Sequence, residues 1–174
     1  MSNKFMKRAI ELSVESVNKG GGPFGCVIVK DEKIVAEGSN KVTSTNDPTA
    51  HGEIVAIRQA CKKLNNFNLN GSELYSTCEP CPMCLSAIYW ARINKIYYAN
   101  TREDARKIDF DDSVIYSELQ KSISERKIPM VQMMRDEALK VFELWDKKQI
   151  RLNIKWNFSL IFQNGSRSCY DGLM

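Results

Sequence analysis

The sequence predicts an α/β domain in three layers, with helices covering both faces of one sheet. Three observations predict it: a helix-periodic apolar run opens the chain, short β-rich runs flank a polar turn, and helices and strands then alternate.

Phe5, Met6, Ala9, Ile10, Ser13, Val14 and Val17 recur at helical spacing, which sets a first helix over about residues 3–19, ended by Gly20-Gly21-Gly22-Pro23. Phe24 to Val29 and Lys33 to Ala36 read as a hairpin turning at Asp31-Glu32. Ser39 to Pro48 is a polar loop. The next helix is expected to begin near Asp47, with Pro48 in the first turn where its missing N–H does no harm, and to carry Ile54, Val55, Ile57, Ala60 and Leu64. That start puts His51 and Glu53 in its first two turns. A strand is expected at Glu73 to Ser76, a helix at Pro82 to Ala91 and a strand at Lys95 to Ala99. Ser113 to Lys121 reads as helix, Met130 to Met133 as strand and Asp136 to Lys148 as helix.

A chain of 174 residues with 43% hydrophobic residues is long enough to bury a substantial core. Lys4, Lys7 and Arg8 stand near its start with no apolar run behind them, so no secretory signal is read there and a reducing cytoplasm is expected. Six cysteines in that setting point to metal or catalysis rather than disulfides. No apolar run approaches the ~20 residues of a membrane span. Residues 150–174 carry three bases and one acid, and without them the net charge falls from +4 to +2. So small an excess gives weak support to a nucleic-acid partner, which calls for a dense basic face.

The chemistry concentrates in two short segments, His51-Gly52-Glu53 and Glu79-Pro80-Cys81-Pro82-Met83-Cys84. Cys81 and Cys84 are three apart, so one helical turn turns both sulfurs to the same side. A helix N-terminus also favours thiolate, the ligating form. His51, the one histidine, completes a set of three protein ligands and leaves a fourth position for water. Zinc there lowers the pKa of water from 15.7 to about 7. Glu53 is placed to shuttle protons if burial raises its pKa toward the working pH. An iron–sulfur cluster on Cys78, Cys81 and Cys84 is disfavoured, because it asks for four cysteines. Asp109, Asp111 and Asp112 read either as a solvated acidic turn or as a substrate clamp, and Trp90 as a pocket wall or a core residue.

His-x-Glu followed by Pro-Cys-x-x-Cys resembles the zinc-dependent cytidine and deoxycytidylate deaminase superfamily, which implies a cytidine-deaminase-like α/β/α fold with a five-stranded mixed sheet. Gly22-Pro23-Phe24-Gly25, Asn46-Asp47-Pro48-Thr49-Ala50-His51, Ala87-Ile88-Tyr89-Trp90-Ala91-Arg92 and Phe110-Asp111-Asp112 narrow the likeness to the bacterial guanine deaminase branch. It covers about Phe5 to Lys148. The resemblance implies zinc on His51, Cys81 and Cys84, Glu53 as the proton shuttle, Asn40 and Asp112 on the purine edge, the Gly52 N–H pointing into the site, and Phe24 and Trp90 lining the ring pocket. It implies hydrolysis of guanine at C2 to xanthine and ammonia, one zinc per subunit and a homodimer. A tRNA adenosine deaminase, or a cytosine, cytidine or guanosine deaminase, is the alternative on the same fold, and a zinc-stabilised scaffold without activity is the alternative outside enzymes.

Two features depart from that branch. Gly52 stands where the family usually has Ala, at a helix cost of about 1 kcal/mol. Beyond about Gln149 the family pattern stops, so residues 1–149 are read as the deaminase domain and 150–174 as an extension: a swapped or partner-binding arm, an added strand, or a cloning or frame-shift addition. In that branch an aromatic residue of this segment covers the partner's site, and Trp156 is the candidate.

Overall fold

The computed structural model describes residues 3–148. The chain forms two compact units, one ending at Lys121 and one beginning at Ser122. The expected extension 150–174 and its lid candidate Trp156 lie outside the described residues.

In the first unit, helix α1 (Lys4–Asn18) is capped by Asn3, whose side chain accepts from the N–H groups of Phe5 and Met6. Strands β1 (Gly25–Lys30) and β2 (Lys33–Ser39) form the expected antiparallel hairpin, with Asp31 and Glu32 both at positive φ as a tight two-residue turn requires. A short helix α2 (Val42–Thr45) interrupts the stretch expected as loop, followed by α3 (Gly52–Leu64), β3 (Ser72–Cys78), α4 (Pro82–Trp90) and β4 (Lys95–Asn100). Two short helices, α5 (Arg102–Arg106) and α6 (Ser113–Gln120), complete the unit. The second unit holds a 3-10 turn at Ile123–Glu125 and helix α7 (Arg135–Lys147).

The sheet order is β2-β1-β3-β4, with β1 antiparallel to both neighbours and β3 parallel to β4. Strand β1 is buried on both faces, and its side chains alternate between them. Cys26 and Ile28 join Ala36 and Leu74 under Ala56 and Ala60 of α3, Ile88 of α4 and Ala91, the C-cap of α4. Val27, Val29 and Tyr75 meet Ala9 and Leu12 of α1. The three-layer α/β/α expectation therefore holds.

The expected five strands do not. The described residues give four, because Met130 to Met133 is not paired into any ladder. A strand exists only where a partner answers its N–H and C=O groups, and Pro129 just before this run supplies no N–H.

One consequence of the strand directions positions the site. The register pairs Gly25 with Ser39 and Cys26 with Ser76, while Cys78 pairs with Asn100. The start of β1 and the ends of β2, β3 and β4 thus lie along one edge of the sheet. Phe24, Asn40, the Glu79 to Cys84 segment and Arg102 all issue from that edge.

Candidate active site

Helix α3 starts five residues later than the sequence predicts. Asp47-Pro48-Thr49 forms a turn in which one Asp47 oxygen accepts from the Thr49 N–H at 2.8 Å and the Thr49 hydroxyl at 2.6 Å. Arg58 of α3 reaches back to the other Asp47 oxygen at 3.2 Å and pins this turn to the helix. His51 is consequently the N-cap of α3, in extended backbone, rather than a residue of its first turn. Cys81 is likewise the N-cap of α4, with Pro82 at the first helical position and Cys84 within the first turn. Two helix N-termini therefore converge.

The Nδ1 atom of His51 lies 3.6 Å from the sulfur of Cys81 and 3.6 Å from that of Cys84. All three donor atoms fall within 4.8 Å of one another. Tetrahedral zinc with Zn–S of ~2.3 Å and Zn–N of ~2.05 Å would set N and S about 3.6 Å apart, so the donor set fits the ion in both chemistry and spacing. The thiols share protons unequally. Cys81 is lowered to about 4, first by the bond from Cys84 and then by His51, whereas Cys84 is pushed up by its bond with Cys81 and by burial. His51 is raised, chiefly by its bond to Cys81.

Glu53 sits beside this group, 6% exposed. Ser76 of β3 donates to one of its oxygens at 3.0 Å, and the Cys84 thiol lies 3.5 Å from the other. Burial holds its carboxyl above the ordinary range despite the hydrogen bonds. Ser76 is a contact the sequence does not reveal. The two residues are 23 apart, on elements whose pairing carries no local signal.

A cavity of about 460 Å³ opens onto these groups and is lined by Phe24, Asn40, His51, Glu53, Cys81 and Asp112, among others. The volume falls within the range of small-molecule sites. Asn40 is held at the end of β2, its N–H donating to the Phe24 carbonyl at 3.0 Å. Its side-chain oxygen accepts from the Val42 N–H at 3.1 Å, which fixes the amide and leaves the NH₂ end for a ligand acceptor. Asp112 caps α6 as a half-buried carboxylate, raised by burial and by Cys81. Phe24 meets Phe110 edge to face, with ring centroids 4.9 Å apart.

Of the nine expected site residues, seven meet at this cavity or the donor group beside it: Phe24, Asn40, His51, Glu53, Cys81, Cys84 and Asp112. Gly52 and Trp90 are not among the cavity residues, and Trp90 is 62% exposed on α4. Glu79, Arg102, Asp109, Phe110 and Asp111 also line it. Of these, only Arg102, at the start of α5, is named by no motif or cluster in the sequence.

A histidine and two cysteines at converging helix starts, a buried carboxylate alongside and a cavity of small-molecule size on a three-layer domain define a zinc-dependent hydrolase of the deaminase type. The sequence profile of the cytidine and deoxycytidylate deaminase zinc-binding region matches residues 1–100, and the chain belongs to that family. Among its relatives is the guanine deaminase of Bacillus subtilis (strain 168), 55% identical over 142 residues, or 81% of this chain and 91% of that one. The tRNA-specific adenosine deaminase of Aquifex aeolicus (strain VF5) is 42% identical over 95 residues, 55% of this chain and 63% of that one. The crystal structure of the Bacillus subtilis guanine deaminase superposes with a TM-score of 0.85 at 50% identity, covering 89% of this chain and all of that one. A guanine deaminase structure from Nitrosomonas europaea gives 0.60 at 27% identity, covering 64% of this chain and 66% of that one.

Proposed function

We propose that this chain hydrolyses guanine at C2, so that guanine and water give xanthine and ammonia. The observation that carries the reading is the 55% identity to a guanine deaminase over 91% of that enzyme's length.

In this reading His51, Cys81 and Cys84 hold one zinc ion, which when bound makes ionised water available near neutral pH. Glu53 carries both protons of the attacking water in turn: it takes the first and delivers it to a ring nitrogen, then takes the second from the hydroxyl added at C2 and delivers it to the departing amine. Its raised carboxyl supports that role, because a shuttle works best with a pKa near the working pH. Ser76 keeps the carboxyl oriented. The free NH₂ end of Asn40 donates to the guanine carbonyl, and Asp112 accepts ring and amino N–H groups. The Gly52 N–H, at the first residue of α3, has no partner within that helix, and in this reading it is directed toward the ligand although Gly52 does not itself line the cavity. Phe24 and Phe110 supply aromatic walls. Trp90 lies outside the cavity, so no base contact is assigned to it within one chain.

The reading extends to a cytoplasmic homodimer and to residues 1–149 as the deaminase domain; residues 150–174, with Trp156, lie outside the described residues. No helix among the described residues is long and apolar enough to cross a membrane.

Replacing the Asp112 carboxylate tests the base contact. Asp112→Ala should raise KM for guanine about tenfold or more while zinc content stays at one per chain, because a hydrogen bond to a charged group is worth ~1.5–3 kcal/mol. An unchanged KM removes Asp112 from the base contact.

A further inference from the structure

Arg102 has no part in the chemistry described above, yet it touches three pieces of the site. Its backbone N–H donates to Glu79 at 3.2 Å, and the Glu79 N–H in turn donates to the Asn100 carbonyl at 2.8 Å. The chain entering α5 is therefore tied to the segment that leads into Cys81. Its guanidinium lies over the Tyr116 ring, 4.9 Å from the centroid. Tyr116 stands one turn into α6, and its N–H donates to the carbonyl of Asp112, the cap of that helix, at 3.4 Å. Arg102 also lines the cavity together with Asp112.

Helix α6 needs such an anchor. It spans eight residues, none of them buried, and its cap makes no side-chain hydrogen bond to the helix. Isolated helices of that length are not stable in water, so the position of its first turn depends on contacts from outside. The cavity wall on this side is also acidic, with Glu79, Asp109, Asp111 and Asp112. A cation held among them offsets their mutual repulsion.

We propose that Arg102 is a positioning residue that clamps α6 to the cysteine-bearing segment through Glu79 and the Tyr116 ring and thereby fixes Asp112 at the cavity. The proposal rests on the reading of Asp112 as the acceptor of substrate N–H groups. Its effect falls on binding rather than on the proton transfers, since Glu53 is held separately by Ser76.

The test is a double-mutant cycle on zinc-loaded protein with guanine as substrate, accompanied by hydrogen exchange of residues 112–120. Arg102→Ala and Tyr116→Leu should each raise KM about three- to fivefold, the range of a partly exposed cation–π contact, with kcat within about twofold of wild type. The double variant should be no worse than either single one. Arg102→Lys, which keeps a cation over the ring, should return KM to within about twofold of wild type. Amide exchange in α6 should accelerate in both single variants and not in α1. Additive KM increases, unchanged KM values or unchanged exchange in α6 would each overturn the clamp. Failure of the guanine reading is separately visible: the wild type would release no ammonia from guanine, while exchange in α6 would still report on Arg102.

Discussion

At the scale of single residues, the proposed reaction depends most on Glu53. Glu53→Gln preserves shape and one hydrogen-bond acceptor, and it should keep zinc while abolishing ammonia release. Near wild-type turnover would remove Glu53 from the mechanism. Its burial also has a pH signature in metal-free protein. The carboxyl is raised in the folded state, so relative to the unfolded chain the fold is favoured below about pH 4.3 and loses that advantage as pH rises through the raised value. Chelator-treated Glu53→Gln, which does not ionise, should therefore be more stable than wild type at neutral pH and lose its lead in acid. Equal denaturation midpoints across that range would contradict the assigned cause. Gly52 makes a gentler case. A Cβ there would meet the carbonyl oxygens of Phe24 and Gly38 at 3.4 and 3.5 Å, which is ordinary contact. Gly52→Ala should thus gain about 0.4–1 kcal/mol from reduced freedom of the unfolded chain, read as a higher melting temperature with activity retained. At this scale the grouping of His51, Cys81 and Cys84 with Glu53 beside them was legible, because ligand chemistry restricts residue types at fixed spacing. Ser76 and Arg102 were not, since each acts through a contact made only by the fold.

Among the elements, α3 matters most because it carries both His51 and Glu53. It packs closely on β2 at Gly38, where a Cβ would stand 2.1 Å from the Gly52 carbonyl oxygen and 2.7 Å from the Ala56 nitrogen. Both are backbone atoms and cannot swing aside. Gly38→Ala should push α3 off the sheet, cost about 1–3 kcal/mol and weaken zinc binding together with stability. Retained zinc affinity at wild-type stability would show that the helix start is not set by this contact. Helix α1 is tied to the hairpin by Arg8, whose guanidinium bonds both Glu37 oxygens at 2.8 and 2.9 Å. That bond holds the Glu37 carboxyl below its ordinary value. Its contribution is whole above about pH 4.3 and is lost as pH falls through the depressed value. Arg8→Ala should cost up to about 1 kcal/mol at neutral pH, and the difference from wild type should shrink in acid. Helix α1, the hairpin, β3, α4 and β4 could all be read from periodicity and turn residues. The start of α3 was misplaced because proline suits the first turn of a helix and the middle of a turn equally, and here the Asp47 side chain selects the turn. Helix α2 and helix α5 are too short to produce a period.

For the whole molecule, the sheet acts as a ruler that brings Phe24, Asn40, the cysteine segment and Arg102 to one edge. The order β2-β1-β3-β4 was not legible from local pattern, because nothing within a strand says which neighbour it takes. The three layers were legible from the alternation of helix and strand patterns, whereas the fifth strand, given both by the reading of Met130 to Met133 and by the family resemblance, is one more than the described residues form. Zinc held as proposed by His51, Cys81 and Cys84 would join the two helix starts and link metal to fold. At a free zinc concentration of 100 times Kd the ion contributes about 2.7 kcal/mol, and a chelator should lower the melting temperature by about 5–10 °C. An unchanged melting temperature would dissociate the metal from the fold.

The central claim is tested most directly by ammonia release from zinc-loaded protein offered guanine, guanosine, adenine, cytosine, cytidine and an adenosine-containing tRNA hairpin in parallel. Preferential release from guanine, with xanthine formed in equal amount, is the predicted result. Release from the hairpin or a pyrimidine in place of guanine, or no release from any of them, would contradict it.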